Sequence, residues 1–465
     1  MKAQRMFNLP LETEDSAVPL TIVSIDAVEN WLANQPERIR NWLNSTGFSG
    51  KAGNTALIPS ESGSISTAVF VTPIKPTIWD FAILPKQLPK AIYSVTSEMS
   101  PDQATDLSLA WTLSSYYFNK YKTITNEQQP AELIWPESCR RDEVTRITEA
   151  VCLVRDLINT PAIDMGPDNL ALAAENLSSK HNAEISVTVG DDLLKANFPA
   201  IHAVGKANDR EPRLIDISWG QPNAPKVTLV GKGVCFDTGG LNIKPANGMK
   251  FMKKDMGGAA HVLGAAHAIM SAGLPIRLRV LVPAVENSIS GNAMRPGDVV
   301  QTRKGLTIEV GNTDAEGRII LSDVLAEAAT EKPEMIIDFA TLTGAARVAL
   351  GTELPALFCN DDDLTAGLLT AGNDSNDPLW RMPLWEGYEK QVDGKVADVN
   401  NAPEGGYGGS ITAALFLQRF ISDDVPWAHI DVMAWNLSNK PGRPEGGEAM
   451  GLRAIIKYLE ARYCT

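Results

Sequence analysis

The chain has 465 residues, 44% of them hydrophobic, which is enough to bury more than one core and rules out a mainly disordered polymer. Its 42 basic and 56 acidic residues leave a net charge of -14, arguing against nucleic acid or an anionic membrane as a general partner. The five cysteines are odd in number and scattered, with no CxxC pair, so neither a disulfide framework nor a cysteine-rich zinc site is indicated.

The first residues, "MKAQRMFNLPLETEDSAVPLT", contain no continuous apolar core and no cleavage signature, and no stretch is long and apolar enough to span a bilayer. A cytoplasmic protein is the expectation. Residues 1–135 mix helical and strand-like segments. "IDAVENWLANQPERIRNWLNSTG" predicts one or two helices ending at Gly47, while "TAVFVTP" and "IWDFAILP" predict short strands. "NEQQPAELIWPESCRRDE" is polar and proline-containing and reads as a linker; "VTRITEAVCLVRDLINTP" follows as a connecting helix stopped by Pro161. The expected boundaries are therefore 1–135 for a smaller N-terminal α/β domain, 136–161 for the linker and connecting helix, and 162–465 for a larger domain. In the larger domain, "KVTLVGKG", "LRVLVPAVE", "GLTIEVGN", "MIIDFATLTG" and "WAHIDVMAW" predict strands. "GPDNLALAAENLSS", "GGAAHVLGAAHAIMSAG", "GRIILSDVLAEAATE" and "SITAALFLQRFI" predict helices between them. The fold class expected is α/β, with a mixed central sheet flanked by helices in the C-terminal domain.

Several predicted strands end in Asp, Glu, Gly, Thr or Lys, where an α/β sheet presents ligands. In "LVGKGVCFDTGGLNIKP", Lys232, Asp237 and Lys244 lie among glycines that allow close backbone approach. A nucleotide site fails on the letters: "GKGVCF" lacks the third glycine of GxGxxG, and "GFSGKAGN" lacks the hydroxyl residue after its lysine. In "MKFMKKDMGGAAH", Asp255 precedes a helix; an N-cap is the plain structural reading. In "NTDAEGR", an extended backbone would turn Asp314 and Glu316 to the same side. Taken alone, such a triplet of charges is a solvated turn. Taken together, four carboxylates (Asp237, Asp255, Asp314, Glu316) converging in a small volume require cations to compensate them. Two divalent ions about 3.5–4 Å apart would do so and would activate a water. The five histidines form no HExxH and read as satisfied structural residues, leaving a largely oxygen ligand set that suits manganese or magnesium as well as zinc.

The runs "VGKGVCFDTGGLNIKP", "MKKDMGGAA", "NTDAEGR" and "ATLTGA", in this order, resemble the leucine aminopeptidase (cytosol aminopeptidase) family of dinuclear metallopeptidases, over roughly residues 140–465. The resemblance implies that residues 162–465 form the catalytic metallopeptidase domain. It implies that Lys232 and Asp255 bind one metal (manganese or zinc), that Asp314 binds a second, and that Asp237 and Glu316 bridge the two. Lys244 and Arg318 would be the catalytic side chains, Arg318 holding a bicarbonate that shuttles a proton. Met252, Thr341, Gly344 and Ala449 would line the pocket for the first substrate side chain, an apolar one such as leucine. The activity implied is release of the N-terminal residue from peptides with a free amine, by a homohexamer. Two departures stand out: Asn242 where serine is usual, and Cys235 where threonine is common. The competing readings are a DNA-binding or regulatory protein on the same scaffold, which the acidic balance disfavours, and a dinuclear phosphoester hydrolase.

Overall fold

The structure, a computed structural model, describes residues 17–122, 130–422 and 424–464. The chain divides into two compact units, one comprising residues through Thr148 together with Ser438–Glu445, the other Glu149–Leu437 with Gly446–Thr465.

The first unit is built on a five-stranded sheet. Strand β1 (Val18–Ser24) lies between β3 (Ile65–Thr72) and β4 (Ile92–Val95), parallel to both; β2 (Thr55–Pro59) runs antiparallel along β3, and β5 (Glu132–Ile134) closes the other edge parallel to β4. Two expectations need correction. "IWDFAILP" is not a strand but two short helices, Ile78–Phe81 and Leu84–Gln87. Thr77 and Asp80 close a capping box, the Thr77 N–H donating to Asp80 Oδ2 at 2.7 Å, and Pro85 sits in the first turn of the second helix. The expected linker also contains β5; its first residues, 126–129, lie outside the described ones. The helix Pro101–Ser114, started by a Ser100–Gln103 capping box, is buried over most of its length.

The second unit is built on a nine-stranded mixed sheet. Its strands are β6 (Glu184–Val189), β7 (Arg213–Trp219), β8 (Lys226–Gly231), β9 (Gly233–Asp237), β10 (Arg277–Asn287), β13 (Met335–Ala340), β14 (Ala356–Cys359), β15 (Trp380–Arg381) and β17 (Trp427–Asp431), with β11 (Val299–Gln301), β12 (Thr307–Glu309) and β16 (Val399–Asn400) forming a small separate sheet. Along the main path the order is β15-β14-β17-β13-β8-β10-β7-β6, with β9 on β10. The inner strands β17, β13, β8, β10 and β9 are parallel; β14, β7 and β6 pair antiparallel towards the edges. Parallel strands covered on both faces need continuous apolar sequence, and β13, "MIIDFA", is buried at every residue.

Helix Gly257–Ala272 packs on β8, β10 and β13, and helix Glu316–Thr330 on β8 and β10. The glycines permit this closeness. A Cβ at Gly258 would stand 2.1 Å from the Phe339 carbonyl oxygen and 2.7 Å from the Lys232 nitrogen. Among the described residues no helix is long and apolar enough to cross a membrane.

Candidate metal and active site

Because the inner strands are parallel, their carboxyl ends open on one edge of the sheet, where loops can build a ligand site. Lys232 follows β8, Asp237 ends β9, Asn287 ends β10, Thr341 follows β13 and Asp431 ends β17. The Lys232 backbone is fixed on both sides: its N–H donates to Phe339 O at 3.0 Å and its carbonyl accepts from Ala259 N at 2.8 Å.

Asp255 is not a helix cap. It lies in a 3-10 turn, Met252–Met256, and the helix beyond begins at Gly257 without a side-chain cap. Its side chain instead accepts the Thr341 hydroxyl on Oδ1 at 2.7 Å. Nor is "NTDAEGR" extended: Asp314 sits in a turn and Glu316 opens the helix Glu316–Thr330. The two acids are brought to the site by a turn and a helix start rather than by strand alternation.

Asp237, Asp255 and Glu316 are buried and present carboxylate oxygens all within 4.8 Å of one another. The Lys232 ammonium stands between two of them, 2.7 Å from Asp255 Oδ2 and 3.0 Å from Glu316 Oε1, and donates to Thr341 O at 3.1 Å. Lys244 joins the third to Asp314, at 2.8 Å from Asp237 Oδ2 and 2.5 Å from Asp314 Oδ1. Four acids and two lysines thus share one cluster.

Its electrostatics follow from burial and crowding. Burial and the Asp237 charge push the Glu316 carboxyl up to about 8, and burial and Asp255 raise Asp237. Burial opposes ionisation of Asp255 too, but Lys232 and Lys254 outweigh it and hold that carboxyl below its usual range. For both lysines, burial would favour loss of the proton, yet the carboxylates win and raise the pKa, Asp255 acting most strongly on Lys232 and Asp237 on Lys244. The fit to divalent cations rests on this donor set. Among the described residues, Asp255 Oδ2 and Asp314 Oδ1 accept no hydrogen bond and are met only by an ammonium, so both have a position for a cation.

Arg318 is buried two residues beyond Glu316. It donates from Nη1 to Asn401 O at 2.7 Å, faces the Phe416 ring, and leaves Nε buried with no hydrogen-bond partner among the described residues. Burial lowers its pKa to about 10, still well above neutrality. The four residues expected around the substrate side chain are not held together by hydrogen bonds. Thr341 is tied to Asp255, half-buried Met252 starts the 3-10 turn, Gly344 opens the helix Gly344–Leu350, and the Ala449 N–H donates to Glu448 Oε1 at 2.9 Å.

Three supporting residues are not evident from the letters. The Asn287 amide donates to Asp237 Oδ1 at 2.8 Å and Thr313 O at 3.1 Å, binding two site loops together. Asn401 receives Gly311 N and donates to Asn312 O, holding the turn before Asp314. Asp431 accepts the Leu342 and Thr343 N–H groups and so shapes the loop after β13. Asn242 locks two loops, accepting Thr313 N on Oδ1 at 2.9 Å while its own N–H donates to Thr313 Oγ1 at 2.8 Å. Cys235 is buried in β9 with its pKa raised by burial, as befits a packing residue. All five histidines have hydrogen-bonding partners: Asp338 for His429, Gly257 O for His261, Asp191 for His202, and each other for His181 and His267.

Residues 152–456 match the model of the cytosol aminopeptidase family, catalytic domain, and residues 18–136 that of the M17 aminopeptidase N-terminal domain. A probable cytosol aminopeptidase of Syntrophotalea carbinolica is 42% identical over 364 residues, 75% of this chain and 73% of that protein. The crystal structure of the cytosol aminopeptidase from Coxiella burnetii superposes with a TM-score of 0.92 at 48% identity, covering 97% of this chain and 98% of that one. The bottromycin maturation enzyme BotP, solved in complex with Mn, gives 0.86 at 32% identity over 96% of this chain and 99% of its own. With both parts of the chain matched and the acidic cluster at the carboxyl edge of the sheet, the protein belongs to the cytosol aminopeptidase family of hydrolases.

Proposed function

We propose that the chain is a two-metal aminopeptidase that removes apolar N-terminal residues, leucine foremost, from peptides with a free amino terminus. The observation that carries this is the trio Asp237, Asp255 and Glu316, buried with their oxygens within 4.8 Å of one another. Lys232 and Asp255 would hold one manganese or zinc ion, Asp314 the other through its carboxylate and main-chain carbonyl, with Asp237 and Glu316 shared. The Mn complex of the similar BotP supports manganese. Divalent cations in such a cluster supply Lewis acidity, polarising a carbonyl and making water acidic enough to attack at neutral pH.

The protein's own groups have the remaining work. To ligate, Lys232 must give up the proton its carboxylate neighbours now retain; from a reference pKa near 10.4 this costs roughly 4–5 kcal/mol at pH 7. Lys244 acts charged, offering its ammonium to the oxyanion that develops on the scissile carbonyl. Arg318 cannot serve as a base at neutral pH. Its Nε, without a hydrogen-bond partner among the described residues, can hold a small planar anion, and a bicarbonate bound there would supply a proton acceptor beside the cluster. Asn287 and Asn401 keep these groups in register. Met252, Thr341, Gly344 and Ala449 would receive the first side chain, an apolar pocket that separates leucine from its nearest analogues by only about 1–3 kcal/mol per methylene. The active form would be a cytoplasmic homohexamer. Exposed apolar side chains of the second unit, among them Trp380, Trp385, Val396 and Tyr407, are consistent with burial against further subunits.

Manganese-loaded enzyme should hydrolyse a leucyl anilide and ignore its N-acetyl derivative. Glu316→Gln should lower kcat by at least about a hundredfold, because a shared carboxylate is lost from the cluster. Activity that survives both chelation and this substitution would exclude the proposal.

A further inference from the structure

Lys244 has to present its ammonium to a reacting carbonyl, yet the loop that carries it, residues 238–244, has little in its own sequence to keep one shape. Gly239 and Gly240 both adopt left-handed backbone, with φ of 86° and 63°, and Leu241, Asn242 and Ile243 are all exposed. A few bonds restrain it. At its base the Lys244 N–H donates to Thr238 O at 2.9 Å, and the Thr238 hydroxyl donates to Asn287 O at 2.8 Å. Pro245 further narrows the backbone choice of Lys244. The tip is held through Thr313. The Asn242 N–H donates to Thr313 Oγ1 at 2.8 Å, the Thr313 N–H donates back to Asn242 Oδ1 at 2.9 Å, and the Thr313 hydroxyl donates to Gly239 O at 2.6 Å. Thr313 is itself a firm anchor: it is only 1% exposed, and its carbonyl accepts the Asn287 amide at 3.1 Å.

The two ends of this clasp, 71 residues apart in sequence, stand beside two charged residues that meet. Asn242 is two residues before Lys244, Thr313 is one before Asp314, and Lys244 Nζ lies 2.5 Å from Asp314 Oδ1. The clasp therefore fixes the Lys244 backbone relative to the Asp314 turn. In the proposed reaction Asp237 and Asp314 are given to cations, so the Lys244 ammonium has to leave both carboxylates and face the substrate. A flexible four-carbon stem can make that change reproducibly from a fixed backbone but not from a drifting one. We infer that the Asn242–Thr313 clasp is a positioning element, which aims Lys244 and sets the approach of Asp314 to its cation. Both residues act through Lys244 and Asp314 and neither is given a contact with substrate. This rests on the aminopeptidase reading above and adds to it the residues that hold its oxyanion donor in place.

Asn242→Ala removes the side-chain acceptor, Thr313→Val removes the hydroxyl at nearly constant volume, and Thr313→Ser keeps it. With manganese-loaded enzyme and a leucyl anilide, the first two should each lower kcat by about tenfold or more while KM stays within about threefold, and Thr313→Ser should stay within about threefold of the parent in both. The double variant Asn242→Ala/Thr313→Val should lie within about threefold of the worse single variant, because both break one clasp; independent effects would multiply to about a hundredfold. Asn242 is exposed, so its alanine variant carries the test should Thr313→Val not fold. Two measurements need no turnover. In calorimetric titration of metal-free protein with manganese, one of the two sites should weaken by about tenfold in the variants while the other stays within about threefold. Amide hydrogen exchange over residues 238–244 should quicken by about tenfold in both Asn242→Ala and Thr313→Val, the Lys244 amide included. If the parent neither cleaves the anilide nor takes up two ions, the aminopeptidase reading fails and the clasp is judged on exchange alone. Unchanged exchange, equal weakening of both metal sites, kcat within threefold of the parent in both single variants, or losses that multiply in the double variant overturns the clasp.

Discussion

At the scale of single residues, the site shows how burial turns ordinary groups into specialised ones. The same effect outside the cluster makes stability pH-dependent. His261 is buried, stacked on Phe339, with its Nδ1 on Gly257 O at 2.6 Å and its Nε2 accepting Met450 N–H at 2.9 Å. Both nitrogens are satisfied only by the neutral ring, and burial depresses its pKa to about 4. A histidine with a depressed folded pKa contributes stability that is present above the unfolded value near 6.5 and lost as pH falls towards 4, about 1.4 kcal/mol per unit. Urea denaturation at pH 7 and pH 5 should therefore show a larger loss in the parent than in His261→Gln; equal losses would refute the assignment. The candidate ligands could be read from the letters because acids and lysines are costly to bury without purpose. Asn287 and Asn401 could not, since asparagine is common in any loop and only the three-dimensional closure of two loops gives these amides their work.

Among the elements, the strongest constraint is how closely helix Gly257–Ala272 lies on the ends of β8 and β13. The neighbours of Gly258 are backbone atoms, which cannot rotate aside as side chains do. Gly258→Ala should cost at least about 2 kcal/mol, whereas Gly291→Ala, with nothing within 4 Å, should stay within about 0.5 kcal/mol. Chemical denaturation of the two variants decides the matter. The larger domain's strands and helices were legible because parallel strands and small-residue helices have continuous apolar runs. The apolar letters of "IWDFAILP" suit a strand, while the decisive signals for helix are a threonine-aspartate cap and a proline. In "NTDAEGR" the expected extended backbone is absent, yet Glu316 still reaches Asp237 and Asp255 and Asp314 still meets Lys244, since a turn followed by a helix start can aim side chains together as well as a strand can.

For the whole molecule, the proposed hexamer gives a direct measurement. Light scattering should find a species of about six times 50.2 kDa, and a monomer at micromolar concentration would contradict it. Nothing in the letters points to six subunits apart from the family likeness, because oligomeric order depends on surface shape rather than on local pattern. The tertiary arrangement of the smaller unit was similarly hidden. Its residues through Thr148 are completed by Ser438–Glu445, where Gly442 comes within close contact of Trp79 and Ala82, and the Arg443 guanidinium covers the Trp79 ring at 4.4 Å. A fragment ending at residue 148 would strip that indole of its cover, so limited proteolysis or a truncated gene cannot release this part whole. The molecule is stitched by its own late sequence, and a working N-terminal piece would have to bring those eight residues along as a graft.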